Sequence, residues 1–240
     1  MELRGATALV TGAAHRVGRA IALGLAGAGS NVVLHFHSSA DAAGATAQEI
    51  RALGVEAATI GGDLGDDPAA VFAACGELGP VRILVNNAAL FPDDRLADVS
   101  RAAWEQTLAV NLTAPVFLTQ AFARALPEGV DGAVVNVTDW RTQRPYPSHF
   151  SYTVAKGGLD TFTRAAAEAL APRIRVNAVA LGAILPPPGK DSAYLKELAQ
   201  EIPMRRVGGT DPVVAAVLSL LANDFVTGEI LRVDGGAHLR

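Results

Sequence analysis

The chain has 240 residues, half of them hydrophobic, and a formal net charge of −4. This is enough apolar material for a large core, and the acidic balance argues against a nucleic-acid partner, which would call for a basic stripe. The single cysteine, Cys75, excludes an internal disulfide and fits a reducing compartment. No apolar run reaches the roughly 18 residues that span a bilayer, and no signal peptide precedes the first predicted strand. We therefore expect a cytoplasmic protein that does not bind membranes.

Short apolar runs alternate with helical segments along the whole chain. Seven runs are predicted strands: Ala6–Thr11, Asn31–His35, Val55–Ile60, Val81–Asn86, Ala133–Val137, Arg175–Val179 and Ile230–Val233. Helices are predicted near 18–27, 40–53, 68–75, 101–126, 152–170 and 212–221, with Ser100 and Asp211-Pro212 as helix starts. The strands are nearly continuous Val, Ile, Leu and Ala, which is typical of strands covered on both faces. The pattern predicts one α/β domain over 1–240, a Rossmann-like, doubly wound parallel sheet of about seven strands with helices on both faces.

A glycine turn follows the first strand, in Thr11-Gly12-Ala13-Ala14-His15-Arg16-Val17-Gly18. A strand, a glycine turn and a helix start together form an anion site, because backbone N–H groups and the helix dipole face the same point. Gly12 permits the tight turn, and Gly18 lets the helix pack closely. We predict that a dinucleotide pyrophosphate is bound here by Gly12, Arg16, Val17 and Gly18.

The end of the second strand indicates which dinucleotide is bound. A site that prefers NAD places Asp or Glu there, whereas this chain has His35-Phe36-His37-Ser38-Ser39. The hydroxyls of Ser38 and Ser39, with Arg16 approaching from the neighbouring turn, would tolerate or attract a 2′-phosphate. The predicted cofactor is therefore NADPH (NADP). The alternative is that the two serines only cap the next helix.

Residues after the third and fourth strands extend the predicted cofactor site. Asp63 and Leu64 follow the third strand, where an aspartate can accept a hydrogen bond from the adenine amino group or, equally, can organise a turn. Asn87 and Ala88 follow the fourth strand, where small residues let a cofactor lie close to the backbone.

A substrate loop is predicted near 182–204, after the sixth strand. Gly182 at its start is a further predicted cofactor-binding residue. The loop contains the run Leu185-Pro186-Pro187-Pro188-Gly189, which can neither continue a helix nor pair centrally in a sheet. A plain surface connector is the alternative. No cluster of metal ligands occurs in the sequence, so no metal is expected.

Four residues are the candidate catalytic groups. Tyr152 and Lys156 are four residues apart at the start of a predicted helix, so they share one face. A lysine ammonium there favours tyrosinate and lowers the pKa of the tyrosine. Asp139 lies at the end of the fifth strand. Asn111 lies in the helix between strands four and five, where its amide can hold a water or distort the helix.

The chain resembles the short-chain dehydrogenase/reductase family in its motifs and in their order. The matching motifs are Thr11–Gly18, Asn86-Asn87-Ala88, Asn111, the Tyr152/Lys156 pair, Arg175-Val176-Asn177 and Val233-Asp234-Gly235-Gly236. The resemblance implies that Tyr152 donates the proton. It implies that Lys156 binds the nicotinamide ribose and lowers the tyrosine pKa, and that Asn111 supports a proton-relay water. Tyr152 and Lys156 are both predicted to contact the cofactor.

One residue, Asp139, makes the chain resemble a particular branch of this family. The family usually has serine where this chain has Asp139, and aspartate there is typical of the pteridine reductases and the related dihydromonapterin reductases. That branch also resembles this chain in Thr11–Gly18, with Arg16 facing pterin and phosphate, and in His35–Ser39. Phe91 falls near the aromatic residue that stacks on the pterin, with ordinary loop packing as the alternative. The resemblance thus implies that the substrate is bound by Arg16, Phe91, Asp139 and Tyr152.

Three hypotheses follow for the function. The first is an NADPH-dependent reductase of pterins or dihydropterins, in which hydride passes to a ring carbon and Tyr152 and Asp139 manage the proton. The second is an NAD(P)H-dependent carbonyl reductase or alcohol dehydrogenase, in which Asp139 is only a strand-end acid. The third, a non-catalytic dinucleotide-binding regulator, is disfavoured by the intact Tyr152, Lys156 and Asn111.

The helix that contains Tyr152 is apolar beyond a single stripe. Its apolar residues include Val154, Leu159, Phe162, Ala165, Ala166 and Leu170. The predicted helix near 101–126 is apolar in the same way. Such helices are expected to be buried on a second side, and similar proteins form homotetramers through them. We expect a homotetramer, with a monomer as the alternative.

Overall fold

The computed structural model describes residues 1–186 and 192–240. Within them, seven strands form one parallel sheet in the order β3-β2-β1-β4-β5-β6-β7. The strands are β1 Thr7–Val10, β2 Asn31–Phe36, β3 Ala57–Gly61, β4 Val81–Asn86, β5 Gly132–Asp139, β6 Ile174–Leu181 and β7 Ile230–Val233. The strand order reverses between β1 and β4, as in a doubly wound sheet. The predicted fold class is confirmed.

Helices cover both faces of the sheet. The α-helices are α1 Arg16–Gly27, α2 Ala40–Ala52, α3 Pro68–Ala73, α4 Arg101–Leu108, α5 Ala114–Ala125, α6 Phe150–Leu170, α7 Ser192–Glu201 and α8 Asp211–Ala222. Short 3₁₀ turns cover Ala74–Leu78, Trp140–Thr142 and Ala237–Leu239, and a π-helical turn covers Ala109–Thr113. The helix predicted near 101–126 is confirmed as one helical run, in which the π turn joins α4 to α5.

The sheet places successive residues of each strand in two different apolar layers. In β1, Val10 packs in the layer with α1, α2 and α8, whereas Leu9 packs in the layer with α3, α5 and α6. This alternation follows from the two-residue repeat of a strand. Leu9 and Val10 are both fully buried, and burying each such side chain contributes about 1.5–3 kcal/mol. The two layers give a rigid base for the loops at the edge of the sheet.

All strands run parallel, so their carboxyl ends meet at one edge. The segments that follow β1 to β6 therefore emerge together, and the crevice between β1 and β4 is where ligands bind in such sheets. Every residue predicted for the site lies in or next to one of these segments or at the start of α6. Among the described residues, no helix is long and apolar enough to cross a membrane.

The predicted substrate loop near 182–204 is described only in part. Its first residues up to Pro186 have no regular structure, and α7 occupies much of its second half. Most of the proline-rich run falls within 187–191, outside the described residues.

Candidate active site

The β1–α1 turn is packed so closely that two of its positions require glycine. Gly12 has a φ of +62°, and a Cβ there would lie 3.0 Å from the Cα of Ala88. A Cβ on Gly18 would lie 2.2 Å from the carbonyl oxygen of Gly12, far inside van der Waals contact. The side-chain amide of Asn87 donates to the carbonyls of Thr11 and Gly12 at 2.8 and 3.2 Å. Close backbone packing and the Asn87 side chain therefore fix the shape of this turn.

The turn opens into a cavity of about 360 Å³ at the carboxyl edge of the sheet. Helix α1 begins at Arg16, and the preceding His15 gives its first amides no side-chain acceptor. These amides and the positive end of the helix dipole suit an anion. The predicted residues that line the cavity are Gly12, Arg16, Val17, Gly18, His37, Asp63, Leu64, Asn87 and Ala88. Glycines that leave no room for a side chain, a helix N-terminus and nearby cations fit the phosphates of a dinucleotide.

The residues predicted for the adenosine end do not all reach the cavity. Asp63 does, and it also organises a turn, because its Oδ1 accepts from the N–H of Gly65 at 2.8 Å. Its Oδ2 lies 3.7 Å from Nε2 of His37. Ser38 and Ser39 do not line the cavity, and Ser39 makes no side-chain bond to the first turn of α2. The capping alternative is therefore not seen at Ser39, and the phosphate-binding role of Ser38 and Ser39 stays a prediction.

Arg16 connects the cofactor turn to the segment after β6. Its backbone lies in the left-handed region, with a φ of +55°. Its Nη2 donates to the carbonyl of Pro186 at 2.7 Å. The guanidinium thus lies between the dinucleotide turn and the start of the predicted substrate loop, so it can contact ligands on either side.

Asn111 lies in the π-helical turn and is fully buried. Its Oδ1 accepts from the N–H of Leu90 and its Nδ2 donates to the carbonyl of Leu90, both at 2.8 Å. The local distortion predicted from the sequence is present, and the two bonds position the loop after β4. The proton-relay role of Asn111 stays a prediction.

The hydroxyl of Tyr152 donates to Oδ2 of Asp139 at 3.1 Å. Asp139 ends β5, and its Oδ1 accepts from the N–H of Arg141 at 2.8 Å. Burial raises the pKa of the Asp139 carboxyl, against the opposing effects of Arg141, the Tyr152 hydroxyl and Lys156. The structure therefore brings the predicted acid and the predicted proton donor into direct contact.

Lys156 is 2% exposed, and its Nζ donates to the carbonyl of Val137 at 2.7 Å. Burial lowers the pKa of this ammonium to about 8, while Asp139 and Asp160 oppose the shift. The sequence predicted a lowered pKa for Tyr152, and this is wrong for the structure. Burial, and then the Asp139 carboxylate, raise the pKa of the phenol well above its usual value. The reason is geometric, since the ammonium bonds a backbone carbonyl and the phenol bonds a carboxylate.

Phe91 lies beside Tyr152 and has further partners that the sequence did not indicate, while its stacking on a pterin stays a prediction. Its ring meets Tyr152 edge-on, with centroids 4.6 Å apart, and stacks on His149 at 3.9 Å. The guanidinium carbon of Arg141 lies 5.6 Å from its centroid. Nδ1 of His149 lies 2.7 Å from the carbonyl oxygen of Pro92. His149 and Arg141 are therefore site residues that sequence reasoning missed.

Two hydrogen bonds hold the loop after β4, which contains Phe91, against α6. The Asp94 carboxylate accepts from the N–H of Ser151 at 3.1 Å and also from its hydroxyl. Ser151 directly precedes Tyr152 in the first turn of α6. No local motif marks this pair, because its two members are far apart in the sequence. The contact fixes the distance between the loop and Tyr152.

Gly182 has a packing role in the structure. A Cβ there would lie 2.5 Å from the Cα of Asp234, and its N–H donates to the carbonyl of Val233 at 3.0 Å. It does not line the cavity beside the turn. Among residues 1–186 and 192–240, no group of three His, Cys, Asp or Glu side chains could hold a metal ion.

Comparison with known proteins places these features in context. A family model described as enoyl-(acyl carrier protein) reductase matches residues 12–238. L-xylulose reductase from Bos taurus is 36% identical, over 98% of this chain and 98% of the relative. The 3-oxoacyl-[acyl-carrier-protein] reductase FabG from Staphylococcus epidermidis is 34% identical, over 97% of this chain and 99% of the relative.

Among solved structures, the chain is similar to FolM alternative dihydrofolate reductase 1 from Brucella canis, crystallised in complex with NADP. The two are 37% identical and superpose with a TM-score of 0.96, over 100% of this chain and 96% of the other. The likeness therefore extends over the whole fold, including every segment that forms the site.

Proposed function

The chain belongs to the short-chain dehydrogenase/reductase family, and on that premise we propose that it is an NADPH-dependent reductase of pterins or dihydropterins. When bound, NADPH supplies a hydride to a C=N carbon of the pteridine ring, and the adjacent ring nitrogen gains a proton. The observation that carries the proposal is the 3.1 Å hydrogen bond from Tyr152 to Asp139. The acid stands where the family usually has serine.

Tyr152 and Asp139 together manage the proton. The raised pKa of Tyr152 keeps its hydroxyl protonated at neutral pH, so it is a donor in the reduction direction. Burial raises the pKa of Asp139, so this carboxyl takes up a proton more readily than an exposed aspartate. As a carboxylate it accepts a hydrogen bond from a ring N–H, and a charged acceptor makes a stronger bond than a serine hydroxyl. The two groups are in contact and titrate as a pair.

The aromatic surface around Phe91 suits a planar ring. Phe91 remains 43% exposed although it packs against His149 and Tyr152. A flat, electron-poor pteridine can stack on such a surface, and the Asp139 carboxylate lies beside it. The Brucella canis relative supports this interpretation, since it is called a dihydrofolate reductase and dihydrofolate contains a pteridine ring.

The proposed cofactor is NADPH, held by residues of the chain's own cavity. The turn from Gly12 to Gly18 and the N-terminus of α1 would hold the pyrophosphate. Arg16 and His37, which line the same cavity, would attract the 2′-phosphate. The relative from Brucella canis was crystallised with NADP, which supports the same choice.

The test is NADPH oxidation with 7,8-dihydrobiopterin and dihydromonapterin, run beside a panel of ketones that includes L-xylulose. We expect turnover of a pterin that falls about 100-fold or more in Asp139→Ser, because positioned proton transfer contributes about 10²–10⁴-fold. Asp131→Ser is the matched control, since Asp131 is exposed and precedes β5 at the opposite end of the same strand. It should retain wild-type turnover.

A carbonyl reductase is the second candidate, and the names of the relatives favour it. L-xylulose reductase and the 3-oxoacyl reductase FabG are both named for carbonyl substrates. Turnover only on ketones, unaffected by Asp139→Ser, would contradict the pterin proposal and leave this one. Absence of turnover on either class, with NADPH still bound, would favour the non-catalytic regulator.

We also propose that the protein is a homotetramer. Phe117 on α5 and Val154 on α6 are 45% and 43% exposed, so both helices carry apolar surface that faces water. Burial of these two helices against a second copy would remove that surface from water. Static light scattering checks this directly, and a mass of one subunit would contradict it.

A further inference from the structure

His35 is a buried histidine, 2% exposed, near the end of β2. Its Nδ1 lies 3.3 Å from the backbone nitrogen of Gly12, and its Nε2 lies 3.1 Å from the carbonyl oxygen of Gly62. A backbone N–H can only donate and a carbonyl can only accept. The two contacts therefore assign one state to the ring, the neutral imidazole with its proton on Nε2.

These bonds connect the two ends of the dinucleotide cavity. Gly12 begins the pyrophosphate turn, whereas Gly62 directly precedes Asp63 at the adenosine end. The backbone of β2 adds to the connection, since the N–H of Ala13 donates to the carbonyl of His35 at 2.9 Å. His35 thus accepts hydrogen bonds from the N–H groups of both Gly12 and Ala13. Gly12 is the residue with the left-handed φ of +62°. The orientation of the Gly12 peptide depends on an acceptor at Nδ1.

We propose that His35 is a positioning residue for dinucleotide binding, and that it holds the Gly12 turn in its binding geometry only while the imidazole is neutral. Protonation would place an N–H on Nδ1, facing the N–H of Gly12. An acceptor would become a second donor, so the turn or the ring would have to move. This inference rests on the proposed function only in requiring that the cavity binds a dinucleotide, and it is independent of the substrate.

The charges around the ring favour the neutral state. Burial is the main cause that lowers the pKa of His35 from 6.5, the Gly62 bond opposes it, His37 lowers it further and Asp63 raises it. The β1–α1 turn presents a backbone N–H to the ring, while its own charged residue Arg16 lines the cavity. Because the folded pKa is below the unfolded value, the stabilisation is present above pH 6.5. It is lost as the pH falls from there through the folded pKa.

NADH is the probe, because the 2′-phosphate of NADPH itself titrates near pH 6. The dissociation constant of NADH is measured by fluorescence titration between pH 5 and 8 for wild type, His35→Leu and His35→Asn. Asparagine places an acceptor close to the position of Nδ1 and does not titrate, whereas leucine offers no acceptor. In the apo proteins, hydrogen–deuterium exchange is followed in the peptide that contains residues 11–18.

The expected wild-type result is a dissociation constant that rises as the pH falls through the folded pKa of His35, which lies below 6.5. His35→Leu should weaken NADH binding about tenfold at pH 7.5, as expected when a buried donor loses its acceptor, and should speed exchange in the turn. His35→Asn should restore most of both properties and abolish the pH dependence. His37→Asn removes a neighbour that lowers the pKa of His35, so the pH dependence of NADH binding should persist and shift to higher pH.

Two results would overturn the inference. One is a pH dependence that persists in His35→Asn, and the other is a His35→Leu protein with unchanged affinity and unchanged exchange. If wild type bound neither NADH nor NADPH, the proposed function would fail and the dinucleotide role of His35 with it. Pterin turnover plays no part here, so failure of the pterin proposal alone would leave this test intact.

Discussion

Around Gly12 and Gly18 the site is built from backbone, whereas around Asp139 and Tyr152 it is built from side chains. In the first region, glycines without a Cβ and hydrogen bonds donated by the Asn87 amide fix the geometry. In the second, a buried carboxylate, a phenol and an ammonium lie within one cluster, and each changes the pKa of another. The steric exclusion at Gly12 and Gly18 does not depend on pH, and in the first region only the His35 contact would titrate. In the second region all three groups are ionisable.

Because the two regions are built differently, we expect one to determine cofactor binding and the other to determine chemistry and substrate choice. A turn made of backbone recognises phosphate groups, which every dinucleotide carries, so it tolerates little change in any protein that binds one. A cluster of side chains can be altered one residue at a time, as Asp139 in place of serine illustrates. We therefore expect substitutions near Tyr152 to change chemistry and substrate, and substitutions near Gly18 to change cofactor affinity and stability.

The largest effect is expected from Tyr152→Phe, which removes the hydroxyl and keeps the ring. Turnover should fall by about 10²–10⁴-fold, because the proton donor is lost. The dissociation constant of NADPH should change by no more than about twofold, because the cofactor turn is made of other residues. Steady-state kinetics and a fluorescence titration on the same preparation measure both. Unchanged turnover would show that Tyr152 is not the proton donor. A large loss of NADPH affinity would show that Tyr152 also holds the cofactor.

Gly18→Ala tests the backbone region and should have the second largest effect. The new Cβ would lie 2.2 Å from the carbonyl oxygen of Gly12 and 2.5 Å from Nδ2 of Asn87. Overpacking of this kind costs about 1–3 kcal/mol, so both the free energy of unfolding and NADPH affinity should fall. Urea denaturation and NADPH titration are the measurements.

Gly27→Ala is the matched control for Gly18→Ala. Gly27 lies in the same helix, α1, and a Cβ there would meet no atom within 4 Å. Alanine is the better helix former by up to about 1 kcal/mol, so this variant should be neutral or slightly more stable. Equal losses in the two variants would show that the turn is not sterically constrained.

The backbone region could be predicted from sequence because its signals are local. Glycines at 12 and 18, placed after a buried strand and before a helix, are enough to predict a closely packed turn. The sheet was predictable for the same reason, since each strand is a short apolar run of its own. Ser38 and Ser39 show the limit of this reasoning. Their position after β2 indicated hydroxyls near a phosphate, but whether they line the cavity depends on the path of the chain, and in the structure they do not line it.

For the side-chain region, the sequence predicted which residues belong to it but not the direction in which the pKa of Tyr152 shifts. Tyr152, Lys156 and Asp139 were identified from spacing and resemblance, yet the pKa of Tyr152 moves in the opposite direction to the one expected. That direction depends on burial and on which partner each group bonds, and sequence specifies neither. The stacking of His149 on Phe91 was missed because it joins a loop to a helix start far along the chain.

The smallest effect is expected from His149→Asn, which tests how firmly the side-chain region is held. His149 has a φ of +54°, a conformation that asparagine also tolerates, so the change removes the ring without adding backbone strain. Phe91 then loses its stacked partner, a contact of the kind worth about 0.5–1.5 kcal/mol, and becomes a less ordered surface for the substrate. The KM for the preferred substrate should rise about 2- to 10-fold, with kcat and NADPH affinity nearly unchanged. If kcat fell instead and KM stayed constant, His149 would act on the Tyr152–Asp139 pair and not on the placement of Phe91.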